Sequence, residues 1–262
     1  MKLCPIVISS CKKYDDLWSP CISLWKRHFP EAVAHSILAT DSCEANPELG
    51  IPVLCGGSEV WSTNLLNCIK QIRSEHVLLV LDDFFLRSRI AADDIAEALK
   101  FAEQSSDILY LSKRGGQIKR GRSCGNYHEI DAASIYAVNL QPAIWRKAIL
   151  ERFLGHKWSP WEFEIEGSRA AASSRLTIWR AIRNPLHYEG LLTHHVVEKG
   201  KWLPHEKYLA RMRGLRVHPR RLTMPLAPYL FYLLREKTNA GGQILFRSKW
   251  HAIRRAITGS SV

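Results

Sequence analysis

Every position from Val77 to Leu81 is apolar, and the run stops at Asp82-Asp83 before Phe84-Phe85-Leu86 resumes. An unbroken apolar run of this length reads as a strand covered on both faces, as in parallel sheets beneath helices. Shorter runs of the same character recur in LCPIVISS (3–10), HSILATD (35–41), IPVLCGG (51–57) and SDILYLS (106–112). Between them the apolar positions change to helical spacing. Leu17, Cys21, Leu24, Trp25 and Phe29 form one such face, and Leu65, Leu66, Ile69 and Ile72 another, with a third helix over 90–104. Ser62 is the expected cap of the second helix, and Pro20 is expected in the first turn of the first. Alternating strands and helices predict an α/β protein with a mostly parallel, Rossmann-like sheet between helical layers.

Beyond this block the pattern is less regular. KRGGQIKRGRSCGNYHE (113–129) is Gly-rich, basic and without periodicity, and reads as a mobile loop. Residues 133–154 read as a strand running into a helix, 156–175 as an aromatic turn followed by a helix, and HHVVEKGKWLP (194–204) as a short strand or hairpin.

The apolar pattern also locates the candidate chemistry. In open α/β sheets ligands collect outside the C-terminal strand ends, and Ser9, Ser10, Asp41, Asp82 and Asp83 all fall at such ends. Two carboxylates directly after a buried strand must meet water, a cation or hydrogen-bond partners, because an unpaired buried charge is strongly disfavoured. Taken alone, the pair fits a turn or helix cap as well as a ligand site.

Composition changes this picture in two ways. Hydrophobic residues make up 46% and charged residues 24% of the 262 positions, as in ordinary globular proteins. The seven cysteines are odd in number and lack any C-x-x-C spacing, so a reducing compartment is expected, with neither a disulfide framework nor a zinc site. The N-terminal apolar stretch is too short for a signal peptide, and no run reaches the roughly 18 apolar residues of a membrane span, so a cytoplasmic location is expected. The net charge of +12 sits entirely in residues 199–262, where fourteen Lys and Arg face only Glu206 and Glu236; the remaining 23 bases and 23 acids cancel.

The order of ISSCKKYDDLWSP, LDDFF, WEFE and GKW along residues 3 to 205 resembles GT-A fold, nucleotide-sugar-dependent glycosyltransferases of the bacterial surface-polysaccharide type. The resemblance implies a catalytic domain over 1–205 and a basic, amphipathic helical region over 206–262. It implies that Asp82 and Asp83 stand where that fold carries its acidic D-x-D-type motif, here followed by Phe84 instead of a third Asp, and that they face a divalent cation, Mn²⁺ or Mg²⁺, on the donor's diphosphate. Ser9, Ser10, Lys12, Asp41 and Ser62, with Trp61 beside them, match the nucleoside side of the donor pocket. His194 or His195 matches a third metal ligand, and Arg169 and Lys201 are candidates to meet diphosphate charge. Glu162, with Glu164 next, matches the base that removes the acceptor proton in an inverting transfer. Trp158 and Trp161 offer flat faces for acceptor sugars, and packing against them is expected to raise the glutamate pKa. Acids also favour the first turn of any helix.

The implied partners are a nucleotide-sugar donor, a glycan or lipid-linked acceptor, and an anionic membrane surface reached through the basic tail, where Arg alternates with apolar residues over 208–257. The same tail fits two other pictures: helices docked on the body, or a polyanion-binding arm. No helix-turn-helix, zinc-finger or RNA-recognition pattern is present, so nucleic acid is not expected. Two further functions remain open at this level: a metal-dependent nuclease or phosphotransferase using the same aspartates, and a non-catalytic glycan- or membrane-binding scaffold.

Overall fold

The computed structural model describes residues 2–44, 47–190 and 192–236. Nine strands form one twisted sheet: β1 (Ile6–Ser9), β2 (Ser36–Thr40), β3 (Val53–Cys55), β4 (His76–Leu81), β5 (Ile108–Tyr110), β6 (Gln117–Cys124), β7 (Tyr127–Asp131), β8 (Ala143–Arg146) and β9 (Ile178–Ala181). Their order is β3-β2-β1-β4-β8-β5-β9-β7-β6. The block β3-β2-β1-β4 is parallel, β8 runs antiparallel between β4 and β5, and β9 restores the common direction beside β5. Only β7 and β8 run against the rest, so the sheet is mostly parallel, the Rossmann-like form expected from the alternation of strands and helices.

Helices cover both faces. Alternate residues of the buried strands divide between two cores, which is what a two-residue side-chain period requires. Ile6, Ile8, Leu78 and Val80 pack with α1 (Asp15–His28) and α3 (Ala92–Ser105). Val7, Val77 and Leu79 pack with α2 (Trp61–Lys70), α4 (Lys147–Leu154) and α5 (Pro160–Ala172). A small hairpin, β10 (Val197–Glu198) with β11 (Lys201–Trp202), turns at Lys199 and Gly200, whose φ values of 50° and 75° suit Gly far better than Lys. The chain continues into α6 (Pro204–Met212) and α7 (Leu226–Glu236).

Several expectations need correction. The stretch 113–129 is not a structureless loop: β6 and β7 pair antiparallel across it, although all eight β6 residues are exposed and leave no apolar alternation to read. Pro20 lies inside α1, beyond the first turn. Ser62 is not the cap of α2; that position is Val60, and the Ser62 hydroxyl donates instead to the His156 carbonyl at 2.6 Å. Cys43 and Cys55 form a disulfide that closes the loop between β2 and β3, whereas the five other cysteines are free.

The first part of the basic tail is docked on the body. Arg87, from the loop after β4, makes a bidentate pair with the buried Glu206 of α6 at 2.8 and 2.7 Å. Burial alone would raise the Glu206 carboxyl, but hydrogen bonds from His205, Arg87 and Thr193 outweigh it and hold the pKa at about 2. Arg221 reaches back to Asp16 of α1, donating from Nε at 2.8 Å and from Nη2 at 2.5 Å, and the guanidinium lies 4.2 Å from the Tyr14 ring centre. The reading of residues 247–257 as a basic amphipathic helix falls outside the described residues.

Candidate active site

The C-terminal ends of β1 and β4 are neighbours because these strands pair directly, Ser9 opposite Leu81. That pairing brings the turn after β1 against Asp82. The Ser10 hydroxyl donates to Asp82 Oδ2 and itself accepts from Trp18 Nε1 at 2.6 Å, fixing one carboxylate oxygen. The Asp82 amide donates to the Ser9 carbonyl at 3.3 Å. Asp82 is buried and Asp83 partly buried, and neither forms an ion pair among the described residues. Asp83 Oδ1 is enclosed and has no hydrogen-bond partner among the described residues.

Burial raises both carboxyl pKa values. For Asp82 the neighbouring Asp83 adds to the effect, while the Ser10 hydrogen bond and the Arg221 charge oppose it. For Asp83 the His195 charge opposes burial and Glu198 reinforces it. Such a pair resists sharing two negative charges unless positive charge arrives.

A second wall comes from the segment before β10. Val196 donates its amide to the Asp83 carbonyl at 3.0 Å, anchoring residues 194–198 against the end of β4. His195 Nε2 lies 3.4 Å from Glu198 and 3.3 Å from the Tyr232 hydroxyl of α7, and its Nδ1 lies 3.0 Å from His194 Nε2. His194 stacks on Phe84, with ring centres 6.0 Å apart. The Tyr14 hydroxyl, raised first by burial and then by the Asp83 charge, completes the rim on the α1 side.

The nucleoside-side candidates lie along the same strand ends. Asp41 accepts from the Lys12 amide at 2.6 Å and from the Thr40 hydroxyl at 3.2 Å, tying the end of β2 to the turn after β1. Lys12 Nζ pairs with Glu44 and lies 3.7 Å from Asp15. A cavity of about 320 Å³, lined by Ser42, Cys43, Glu44, Ile51, Val53 and Cys55, opens next to Asp41. Trp61 Nε1 donates to the Ser9 hydroxyl at 3.2 Å, on the face opposite Ser10 and Trp18.

Glu162 and Glu164 belong to that opposite face. Their helix is reached from the aspartates through Ser9, then Trp61, which packs edge-on against Phe163 at 5.3 Å. Ser159 caps α5 in a reciprocal box: its hydroxyl accepts from the Glu162 amide at 3.3 Å, and Glu162 Oε2 accepts from the Ser159 amide at 2.8 Å. These hydrogen bonds lower the Glu162 pKa, and the carboxylate is exposed, so the expected rise by packing on tryptophan does not occur. Glu164 Oε1 accepts from the Leu140 amide at 2.9 Å and joins α5 to the segment that leads into β8. Trp158 stacks on His156 at 4.2 Å, its amide donates to the Ser62 hydroxyl at 2.9 Å, and Trp161 is 65% exposed. Arg169 pairs with Glu166 on the outer side of α5, and Lys201 lies in β11.

A carboxylate oxygen such as Asp83 Oδ1 is of the donor type that hard cations take, and Asp82 and Asp83 are the residues here that could hold one. Among the described residues no group of three or more His, Cys, Asp or Glu side chains is arranged to hold a metal, so His194 does not complete a three-ligand set with the aspartates.

Two features of the site were not singled out from sequence. Tyr14 and Trp18 sit in the quoted ISSCKKYDDLWSP stretch, and Arg220-Arg221 is a pair that pattern alone assigns to a solvated basic face. The signal for the latter was Asp15-Asp16, a complementary pair on α1 to which both arginines bind.

No family model matches the chain, and no curated protein matches it. Solved structures share its layout. Staphylococcus aureus TarS is 16% identical over 70% of this chain and 37% of its own, with a TM-score of 0.42. The TarS 1–349 complex with UDP-GlcNAc is 16% identical over 69% of this chain and 58% of its own, with a TM-score of 0.40. The 2-C-methyl-D-erythritol 4-phosphate cytidylyltransferase of Thermus thermophilus is 12% identical over 82% of this chain and 99% of its own, with a TM-score of 0.46. The chain thus spans little more than a third of the full TarS chain. Likeness at this level concerns fold alone.

Proposed function

We propose that this protein is a nucleotide-sugar-dependent glycosyltransferase whose donor diphosphate lies over Asp82 and Asp83. The observation that carries the reading is Asp83 Oδ1, an enclosed carboxylate oxygen without a partner among the described residues, at the strand ends where a parallel α/β sheet receives ligands. A folded chain that leaves a buried acid unsatisfied incurs a cost that a ligand can relieve.

A divalent cation, Mn²⁺ or Mg²⁺, supplies positive charge against the leaving diphosphate when bound, and Asp83 with Asp82 beside it would hold it. Ser10 and Trp18 fix Asp82, so that Asp83 is the freer of the two carboxylates. Arg221 adds a nearby positive charge that also steadies Tyr14. The bond from the anomeric carbon to the diphosphate breaks as the acceptor hydroxyl bonds to that carbon from the opposite face, giving inversion. The acceptor's proton passes to water or a base on the acceptor side. Glu162 and Glu164, expected there from sequence, lie beyond Ser9 and Trp61 and are each engaged by a backbone amide, so the proton-accepting role is not assigned to them. The acceptor is a glycan or lipid-linked glycan of bacterial surface-polysaccharide synthesis, with Trp161 and Trp158 as packing surfaces for its rings.

A thermal-shift series with UDP-, GDP- and CMP-type nucleotides in the presence of Mn²⁺ tests the reading. At least one nucleotide should raise the melting temperature of the wild type and leave that of Asp83→Ala unchanged. If no nucleotide has an effect while DNA or RNA stabilises the protein and is cleaved, the nuclease alternative replaces it.

A further inference from the structure

The described end of the tail carries an apolar face that the body does not cover. On α7, Tyr229 and Tyr232 turn inward and pack with Leu203 and Met224. The Tyr229 hydroxyl lies 2.7 Å from His205 Nδ1, which fixes the rotation of the helix. Leu226, Leu230 and Leu234 fall at i, i+4 and i+8 and so share the opposite side, where they are 68%, 52% and 66% exposed. Leu222, in the segment before the helix, is likewise 69% exposed. Isolated exposed leucines are ordinary, but four along one short segment mark a contact surface.

Charge identifies the occupant. Arg211 and Arg216 are exposed in the segment leading to α7, and in the chain following Glu236 the sequence holds five basic residues and no acid. An apolar stripe beside dense positive charge matches a surface with an apolar interior and an anionic boundary. Among the described residues no helix is long and apolar enough to cross a membrane, so contact would be peripheral.

We infer that Leu222, Leu226, Leu230 and Leu234 dock this protein on an anionic lipid surface, with the surrounding arginines meeting the headgroups. The inference does not depend on the sugar-transfer reading, since it uses none of the Asp82–Asp83 site. The four leucines are solvent-facing in the fold, so replacing them with Ser leaves the packed side of α7 intact.

The test is co-sedimentation of the full chain with vesicles of phosphatidylcholine alone or with about a third phosphatidylglycerol. Wild type should sediment with the anionic vesicles, release in high salt, and ignore the neutral ones. Leu226→Ser/Leu230→Ser/Leu234→Ser should partition about a hundredfold less or weaker still, with an unchanged melting temperature. Undiminished sedimentation of the triple variant overturns the inference. So does a wild type that ignores anionic vesicles, whether it instead binds RNA or forms a dimer that the triple variant cannot form.

Discussion

Asp82 and Asp83 lie on one side of the Ser9 rim and Glu162 and Glu164 on the other, and the same charge meets opposite circumstances in the two places. The aspartates are enclosed, their pKa values are raised, and one oxygen of Asp83 has no partner among the described residues. The glutamates are hydrogen-bonded to backbone amides, and Glu162 is exposed with a lowered pKa. Acids at a helix start stabilise the fold by meeting its free amides and its dipole. Acids packed at a strand end without countercharge destabilise it, and a fold that keeps them is prepared for a ligand that brings the charge.

The comparison is broken most directly at Asp83. Replacing it with Ala should lower sugar transfer by about 10²–10³-fold, the usual loss when one group aimed at developing charge is removed, and kinetic assay of purified protein measures it. A loss below tenfold would place the donor elsewhere.

The next largest effect concerns a buried acid that does have its partner. Arg87→Ala strands Glu206 and should cost about 3–5 kcal/mol in chemical denaturation. Because the Glu206 pKa is depressed to about 2, its contribution is present above the ordinary carboxylate range and is lost as pH falls toward 2. The Arg87→Ala penalty should therefore shrink in acid; a penalty independent of pH would mean that packing, not charge, holds α6.

Asp82 and Asp83 predict the reverse sign. Their folded pKa values are raised, so the protonated forms favour the folded state at low pH, and stability is lost as pH rises from the ordinary carboxylate range through the folded values. Asp82→Asn should accordingly raise the melting temperature of the ligand-free protein near neutral pH, by about 2–4 °C for each kcal/mol relieved, while weakening nucleotide binding. A fall in melting temperature would show that the Ser10 hydrogen bond outweighs the cost of burying the charge.

The smallest effect belongs to the glutamate side. Glu162→Ala removes half of a capping box and should cost about 1 kcal/mol, with less than about tenfold loss of transfer. A loss beyond a hundredfold in a folded variant would give Glu162 the proton-accepting role despite its low pKa.

The parts of the molecule legible from sequence are those governed by burial. The run from Val77 to Leu81 marked β4, and its abrupt end marked the acid pair, because a strand covered on both faces leaves no place for charge except at its end. The parallel block and the helices over it followed from the same contrast of periods. What escaped was governed by other rules. The hairpin of β6 and β7 is held by pairing along an exposed edge, so its sequence carries charge and glycine where an apolar alternation would be needed. Ser62 looked like a cap because its type favours caps, yet its hydroxyl serves a contact with His156 some ninety positions away, which no local pattern records. The disulfide of Cys43 and Cys55 depends on β2 and β3 being neighbours. Arg221 looked like one of many tail charges until the fold placed it against Asp16.

Electron paramagnetic resonance of Mn²⁺ in the presence of a nucleoside diphosphate, compared across wild type, Asp83→Asn and Glu162→Gln, tests the central contrast most directly. The predicted result is bound Mn²⁺ in wild type and Glu162→Gln and a free-ion signal in Asp83→Asn. Equal binding by all three proteins, or none by the wild type at saturating nucleotide, would contradict it.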